Sequence, residues 1–331
     1  MATRLLLVIS SEPDGPSVRH RWRAFAGDLE RAGVVLQVAP WPKERAGRQA
    51  TLVRAAGADG VVLARRLLPR PWALRLRQRA RRLLYDIDDA MPLRDSQRGA
   101  TRSWTRARRF DRLVALADQV MVGNAHLASL CRAPRRPPLR VPTTVEVGAA
   151  PAPLPPRGPL VVGWIGARAT LPYLEAGLPA LGAVARAGRA LRLRVVADAA
   201  PREAQGVEVE WVPWSEAGEA AALAGMHAGF APLPDDAWTR GKCGFKVLQM
   251  MGAGRPVVAS PVGVQAEQVQ HGESGFLAAS TAEQVDALLR LADDPAACER
   301  MGRAAHERVR AQWSRAAWAP RLVQALEAWL A

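Results

Sequence analysis

Apolar runs and helical patterns alternate along the chain. Residues Arg4 to Ser10, Val34 to Val38, Gly60 to Ala64, Arg82 to Ile87 and Gln119 to Val122 are short and apolar, as strands buried on both faces are. Helical patterns such as Arg19 to Ala32 and Ser103 to Ala117 lie between them. This order predicts a parallel sheet covered by helices on both sides. The series ends at Val141, and Gly148 to Pro159 then reads GAAPAPLPPRGP, too rich in Pro and Gly to form an element. A linker is expected there. Beyond it the pattern restarts, with strands expected at Leu160 to Ile165, Leu191 to Ala197, Val207 to Val212, Ala228 to Leu233, Pro256 to Ala259 and Phe276 to Ala279. From Thr281 the chain turns helical, with Trp318, Leu322, Leu326 and Leu330 at helical spacing. The fold class expected is therefore α/β. Residues 1–147 form a first, basic domain, 148–159 the linker, 160–312 a second domain and 313–331 a terminal helix. Ligands of open parallel sheets bind beyond the carboxyl ends of the strands. A site between the two domains follows.

Composition narrows the function. With 331 residues, 49% hydrophobic and 23% charged, the chain can bury real cores, which excludes disorder. Three cysteines far apart, Cys131, Cys243 and Cys298, exclude a disulfide scaffold and predict a reducing compartment. The apolar run Leu5 to Ile9 is shorter than a signal-peptide core, and no run is long enough to span a bilayer, so a cytoplasmic location is expected. The net charge of +15 is lopsided: residues 1–150 hold 28 Arg and Lys against 13 Asp and Glu, and the remainder holds 18 against 18. The Arg-rich segments Arg65 to Arg82 and Arg94 to Arg112 mix these charges with Leu67, Leu68, Trp72, Leu74 and Leu76, and place Arg98, Arg102, Arg106 and Arg109 on one helix face. Such faces suit an anionic membrane surface, here the inner face of the cytoplasmic membrane. A solvated face in an Arg-biased protein is the blander reading. A nucleic-acid partner is disfavoured, because Tyr and Phe total seven and no recognition signature is present.

Only three lysines occur, Lys43, Lys242 and Lys246, and two of them flank the densest chemical signal in the chain. Asp235 to Gly263 reads DDAWTRGKCGFKVLQMMGAGRPVVASPVG, a polar loop, a short helix opened by Gly244, and a glycine turn into the next strand. Amides at a helix start are unpaired and attract anions, and Lys242 and Lys246 add cations. A diphosphate is the ligand this pattern suits; a solvated lysine pair is the alternative.

This stretch resembles the donor site of glycosyltransferase family 4, the retaining GT-B enzymes. In particular it resembles the variant reading Lys, Cys, Gly, Phe, Lys, Val, Leu, Gln before a Gly-x-Gly-x-Pro turn. The resemblance continues through Val257 to Gly263, Glu267, Gly272 to Leu277, Met301-Gly302 and Glu307 to Val309. Val162 to Gly166 and Tyr85 to Ala90 add to it upstream. It implies two Rossmann-like domains facing across a cleft, with the terminal helix returning to the first. It further implies that Lys242 and Lys246 neutralise the donor diphosphate, that Gly166 lets it approach the backbone, and that Gln249, Gly263 and Glu267 lie at the nucleotide. Many relatives carry two glutamates around this helix, where this chain has Gly241 and Gln249. Gln249 can still bond ribose hydroxyls, whereas Gly241 removes the usual sugar contact.

Asp86-Ile87-Asp88 spells a pattern that holds a metal in another glycosyltransferase fold, but the lysines already supply charge neutralisation, so neither metal nor cofactor is expected. Asp88 and Asp89 fall at a strand end, suited either to binding the sugar and assisting the acceptor hydroxyl or to capping and pairing with Arg. Arg19 and Arg21 open the helix after the first strand, where they would meet a phosphate-bearing or acidic acceptor. The expectation is a retaining transferase moving a sugar from a nucleotide diphosphate to a glycan, lipid-linked or small-molecule acceptor in cell-envelope or exopolysaccharide synthesis. A non-catalytic sugar-nucleotide binder, or a basic protein binding nucleic acid or membrane, is the alternative.

Overall fold

The computed structural model describes residues 3–156, 158–202 and 206–331, without the side chain of Arg98. Arg157 of the expected linker and the Arg98 side chain of the expected basic face thus lie outside the described residues. The chain divides into two compact units, Met1–Thr144 with Asp236–Cys243 and Arg315–Ala331, and Val145–Asp235 with Gly244–Ser314.

The first unit runs β1 (Arg4–Ser10), α1 (Pro16–Arg21), α2 (Ala26–Arg31), β2 (Val34–Pro40), α3 (Arg45–Ala56), β3 (Gly60–Ala64), α4 (Arg70–Arg79), β4 (Leu83–Ile87), α5 (Trp104–Leu116), β5 (Gln119–Val122), α6 (Ala125–Leu130) and β6 (Leu139–Arg140). The strands form one parallel sheet in the order β2-β1-β3-β4-β5-β6. Alternate side chains of its strands feed two cores. Leu63 and Tyr85 meet Leu52, Leu76 and Phe110 of α3, α4 and α5 on one face, while Leu6 and Leu84 meet Val18 and Leu29 of α1 and α2 on the other.

The single helix expected over Arg19 to Ala32 is two short helices with a 3-10 turn, Arg23–Phe25, between them. Trp22 leaves helical geometry at φ −128° and ψ −60°, and its indole is fully buried. Pro16, suited to a first helical position, also starts α1 earlier than the periodicity suggests.

The second unit runs β7 (Leu160–Ile165), α7 (Leu171–Arg186), β8 (Leu191–Ala197), β9 (Glu208–Pro213), α8 (Glu219–Ala224), β10 (Ala228–Ala231), α9 (Phe245–Gly252), β11 (Val257–Ala259), α10 (Gln265–Gln268), β12 (Gly275–Leu277), α11 (Thr281–Asp293) and α12 (Pro295–Gln312). Its parallel sheet has the order β12-β11-β10-β7-β8-β9, the order of dinucleotide-binding sheets. The order reverses between β7 and β10, so a ligand crevice is expected at the carboxyl ends of those strands. Fully buried Arg255 donates to the carbonyls of Pro153, Leu223 and Ala224, which ties the proline-rich segment to this unit. The last helix, α13 (Arg315–Leu330), closes the α1–α2 face of the first unit with Leu322, Leu326 and Trp329. A side chain at Gly60 would meet Leu330 Cδ2 at 2.6 Å.

Candidate active site

In the first unit, β4 ends in the acidic run expected from the sequence, and its three carboxylates divide between two arginines, Arg21 for Asp86 and Arg65 for Asp88 and Asp89. Asp86 lies on the face shared with α1. There Arg21 donates to it with Nη2 at 2.6 Å and Nε at 3.1 Å, and Trp22 Nε1 donates at 2.8 Å. Burial works against the Arg21 charge, but the ion pair and hydrogen bonds with Asp86 outweigh it and raise the guanidinium further. Arg21 also donates to the Val141 carbonyl at 2.9 Å. At 2% exposure it presents nothing to a ligand, which corrects its expected place on the acceptor side. Arg19 is half-buried beside His20.

Asp88 and Asp89 are gathered by Arg65, just past β3. Its Nε lies 3.0 Å from Asp88 and its Nη2 2.5 Å from Asp89, and Nη1 donates to Ser17 Oγ at 2.6 Å. Arg65 adopts φ +50°, a left-handed conformation that costs a non-glycine residue about 1–2 kcal/mol. Strain of that kind persists where the surroundings over-determine it. The strand order reverses between β1 and β3, so Arg65 stands at the ligand-binding end of this sheet. Burial pushes the Asp89 carboxyl above its usual range, and Lys242 and Arg65 only partly offset it.

Lys242 reaches this cluster because residues 236–243 fold with the first unit. Asn124 Nδ2 donates to the carbonyls of Gly241 and Lys242 at 3.2 and 3.1 Å, and the Cys243 thiol donates to the Asp88 carbonyl at 3.2 Å. The Lys242 ammonium lies 3.8 Å from Asp89 and 5.0 Å from the centre of the Trp238 ring. Burial pushes the Cys243 thiol up to about 12, so it is no nucleophile at neutral pH. Trp238 joins Arg94, Asp95 and Arg106 around a cavity of about 430 Å³, and its buried Nε1 has no hydrogen-bond partner among the described residues.

The same packing accounts for Gly241. A Cβ there would lie 2.7 Å from Ala90 Cβ and 3.0 Å from the Ala90 nitrogen, so no glutamate fits. Gly241→Glu is expected to restore no sugar contact and to cost about 1–3 kcal/mol through overpacking, read as a lowered thermal midpoint.

In the second unit, Lys246 is the second residue of α9 and lies close to the end of β7. It donates to Thr170 Oγ1 at 2.6 Å and lies 4.5 Å from the Trp164 ring centre. Gly244 caps this helix at φ +64°, and a side chain there would collide with Gln268 of α10. Gly166 follows β7, where a Cβ would lie 2.0 Å from the Trp164 indole, so the packing of its own strand already requires glycine. Gln249 donates to Glu219 at 2.6 Å, and Glu219 also accepts from Trp214 Nε1 at 2.8 Å. Gly263, at φ +53°, turns the chain from β11 toward α10, which carries exposed Glu267.

Residues 161–294 match the family model described as "Glycosyl transferases group 1". This stretch is similar to a group 1 glycosyltransferase domain. The chain is thus an enzyme of the glycosyltransferase class. No curated protein gives a significant sequence match. Solved structures match along nearly the whole length. Sucrose-phosphate synthase of Thermosynechococcus elongatus is 17% identical, with a TM-score of 0.75 over 98% of both chains. HepE of Anabaena, solved with UDP and glucose, is 12% identical, with a TM-score of 0.76 over 98% of this chain and 100% of that one. A glycosyltransferase of Rickettsia africae is 10% identical, with a TM-score of 0.70 over 100% and 99%. These likenesses establish the GT-B fold, two Rossmann-like domains.

The matched span contains Lys246, Gln249, Gly166, Gly263 and Glu267; Lys242 also lies within it but packs with the first unit. Arg65, Thr170, Glu219 and Trp238 escaped the sequence reading. Arg65 is one arginine in a run of eight and Glu219 lies in an alanine-rich stretch, so neither carries a local signal. Among the described residues no group of three or more His, Cys, Asp or Glu is arranged to hold a metal.

Proposed function

We propose that the enzyme is a retaining glycosyltransferase that moves a sugar from a nucleoside diphosphate to an acceptor hydroxyl in cell-envelope or exopolysaccharide synthesis. The observation that carries this reading is Lys246, held by Thr170 beside the point where the second sheet reverses its strand order. There the amides that open α7 and α9 and the lysine ammonium would meet the diphosphate, stabilising it as it departs. Gln249 and Glu219 would hold ribose hydroxyls, one donating and one accepting. HepE binds UDP and UDP-glucose, which supports a uridine donor.

The first unit supplies the acceptor side. Arg94 and Arg106 line a cavity that suits an acceptor bearing a phosphate or carboxylate, with Arg19 as a further cation. Asp89, raised by burial, would accept a hydrogen bond from the attacking hydroxyl. Retention without a protein nucleophile implies that the diphosphate leaves and the hydroxyl attacks the same face, with positioning supplying much of the rate.

Transfer from UDP-glucose to a panel of neutral and phosphorylated sugars, followed by proton NMR of the anomeric coupling, tests the reading. An α-linked product from the α-donor is expected; a β-linked product would refute retention. The raised Asp89 carboxyl adds a second expectation. kcat/KM should fall as pH drops through a value above the ordinary aspartate range, and Asp89→Asn should flatten that limb. The stability effect runs the other way. A carboxyl raised on folding stabilises the protein fully below its unfolded value, and this is lost as pH rises through the folded value.

A further inference from the structure

Helices α3, α4 and α5 lie side by side on one face of the first sheet, with Leu52, Leu76 and Phe110 sharing a single core beneath them. Their sequences carry eleven arginines against one acidic residue, Asp111. Arg45, Arg54, Arg70, Arg75, Arg79 and Arg108 are exposed. The charge is crowded: neighbouring Arg66 is lowered by burial and then by Arg48 and Arg109, which belong to different helices. Such a layer repels itself unless an anionic surface neutralises it.

Each helix also exposes one large apolar side chain: Val53 of α3 at 69%, Leu74 of α4 at 38% and Trp104 of α5 at 72%. The Arg108 guanidinium lies 4.2 Å from the centre of the Trp104 ring. Tryptophan beside arginine suits the boundary between headgroups and acyl chains, where the ring meets hydrocarbon and the guanidinium meets phosphate. A nucleic-acid duplex would satisfy the charge but offers nothing to Val53 and Leu74. Arginine rather than lysine throughout the layer fits phosphate, which it binds in a planar, bidentate manner.

We infer that the α3–α4–α5 layer docks the enzyme on an anionic lipid bilayer, with Trp104 entering the headgroup region and the exposed arginines holding lipid phosphates. This rests on the first unit alone and stands whatever the transferred sugar is. Co-sedimentation with vesicles of phosphatidylglycerol and phosphatidylcholine, against phosphatidylcholine alone, tests it. The full chain is expected to bind only the mixed vesicles, less tightly as salt rises. Replacing Arg70, Arg75, Arg79 and Arg108 with Gln should weaken binding about fivefold each, roughly 600-fold together. Brominated lipids should quench tryptophan fluorescence of the wild-type protein, and Trp104→Ala should remove most of that quenching. An unchanged melting temperature in each variant verifies folding. Equal binding to neutral vesicles, undiminished binding by the arginine variant, or retention on duplex DNA but not on vesicles would overturn the inference.

Discussion

Arg21→Met is expected to cost about 3–5 kcal/mol of stability, because it strands a buried carboxylate. Asp86 lies in β4 and its partner Arg21 ends α1, and their side chains are 2% and 1% exposed. Without the guanidinium only Trp22 Nε1 remains to meet Asp86 among its observed side-chain donors. The charge then has to protonate or draw in water, and either costs free energy. The pair also links α1 to β4 and, through the Val141 carbonyl, to the segment after β6. Asp86→Leu alone should be comparably damaging, since it strands the cation. The double variant should recover much of the loss, because two apolar side chains carry no desolvation penalty. Urea unfolding of all four proteins closes the cycle and yields the coupling directly. Additive losses would show that Arg21 and Asp86 act independently.

The second large effect falls on catalysis. Lys246→Met is expected to leave the fold intact and to lower kcat/KM about 10²–10³-fold, the scale of losing one preorganised charge-stabilising group. The side chain is only partly buried and its bond to Thr170 is made near the surface, so little stability depends on it. Lys246→Arg should recover part of the rate by keeping the charge, though a planar guanidinium cannot reproduce the ammonium contact with Thr170. Thr170→Val removes the hydroxyl that positions the ammonium and should give a smaller loss of the same kind. Steady-state kinetics with saturating acceptor check the series. A Lys246→Met enzyme with wild-type kcat/KM would remove the lysine from the reaction.

Much of this architecture is legible in the sequence because it is written locally. The runs Arg4 to Ser10, Gly60 to Ala64, Gln119 to Val122, Leu160 to Ile165 and Leu191 to Ala197 coincide with β1, β3, β5, β7 and β8. Strands buried throughout, such as β3 and β7, need nearly every residue apolar, so little else fits those positions, whereas β8 alternates Leu with half-buried Arg192 and Arg194. Ser103 caps α5 and Gly244 precedes α9, each a signal carried by one residue. What the sequence hides depends on contacts between distant segments. The break at Trp22 follows from a bond to Asp86, 64 positions away. The fold of 236–243 into the first unit rests on Asn124, whose side chain caps α6 with its oxygen and holds two distant carbonyls with its nitrogen. Lys242 and Lys246 are four positions apart, yet one belongs with Asp89 and the other with Thr170. Gly241 reads in sequence as the loss of a sugar-binding glutamate, while the structure reveals a steric reason in the nearby Ala90 backbone.

The most direct test of a diphosphate site on the second unit is thermal denaturation of the wild-type and Lys246→Met proteins with UDP, UMP and uridine. At about 100 times its dissociation constant UDP should add roughly 2.7 kcal/mol of stability. UDP is expected to raise the melting temperature of the wild type well above the effect of UMP or uridine, and Lys246→Met should abolish that difference. Equal stabilisation by all three ligands, or an undiminished UDP shift in the variant, would contradict recognition of the diphosphate by Lys246.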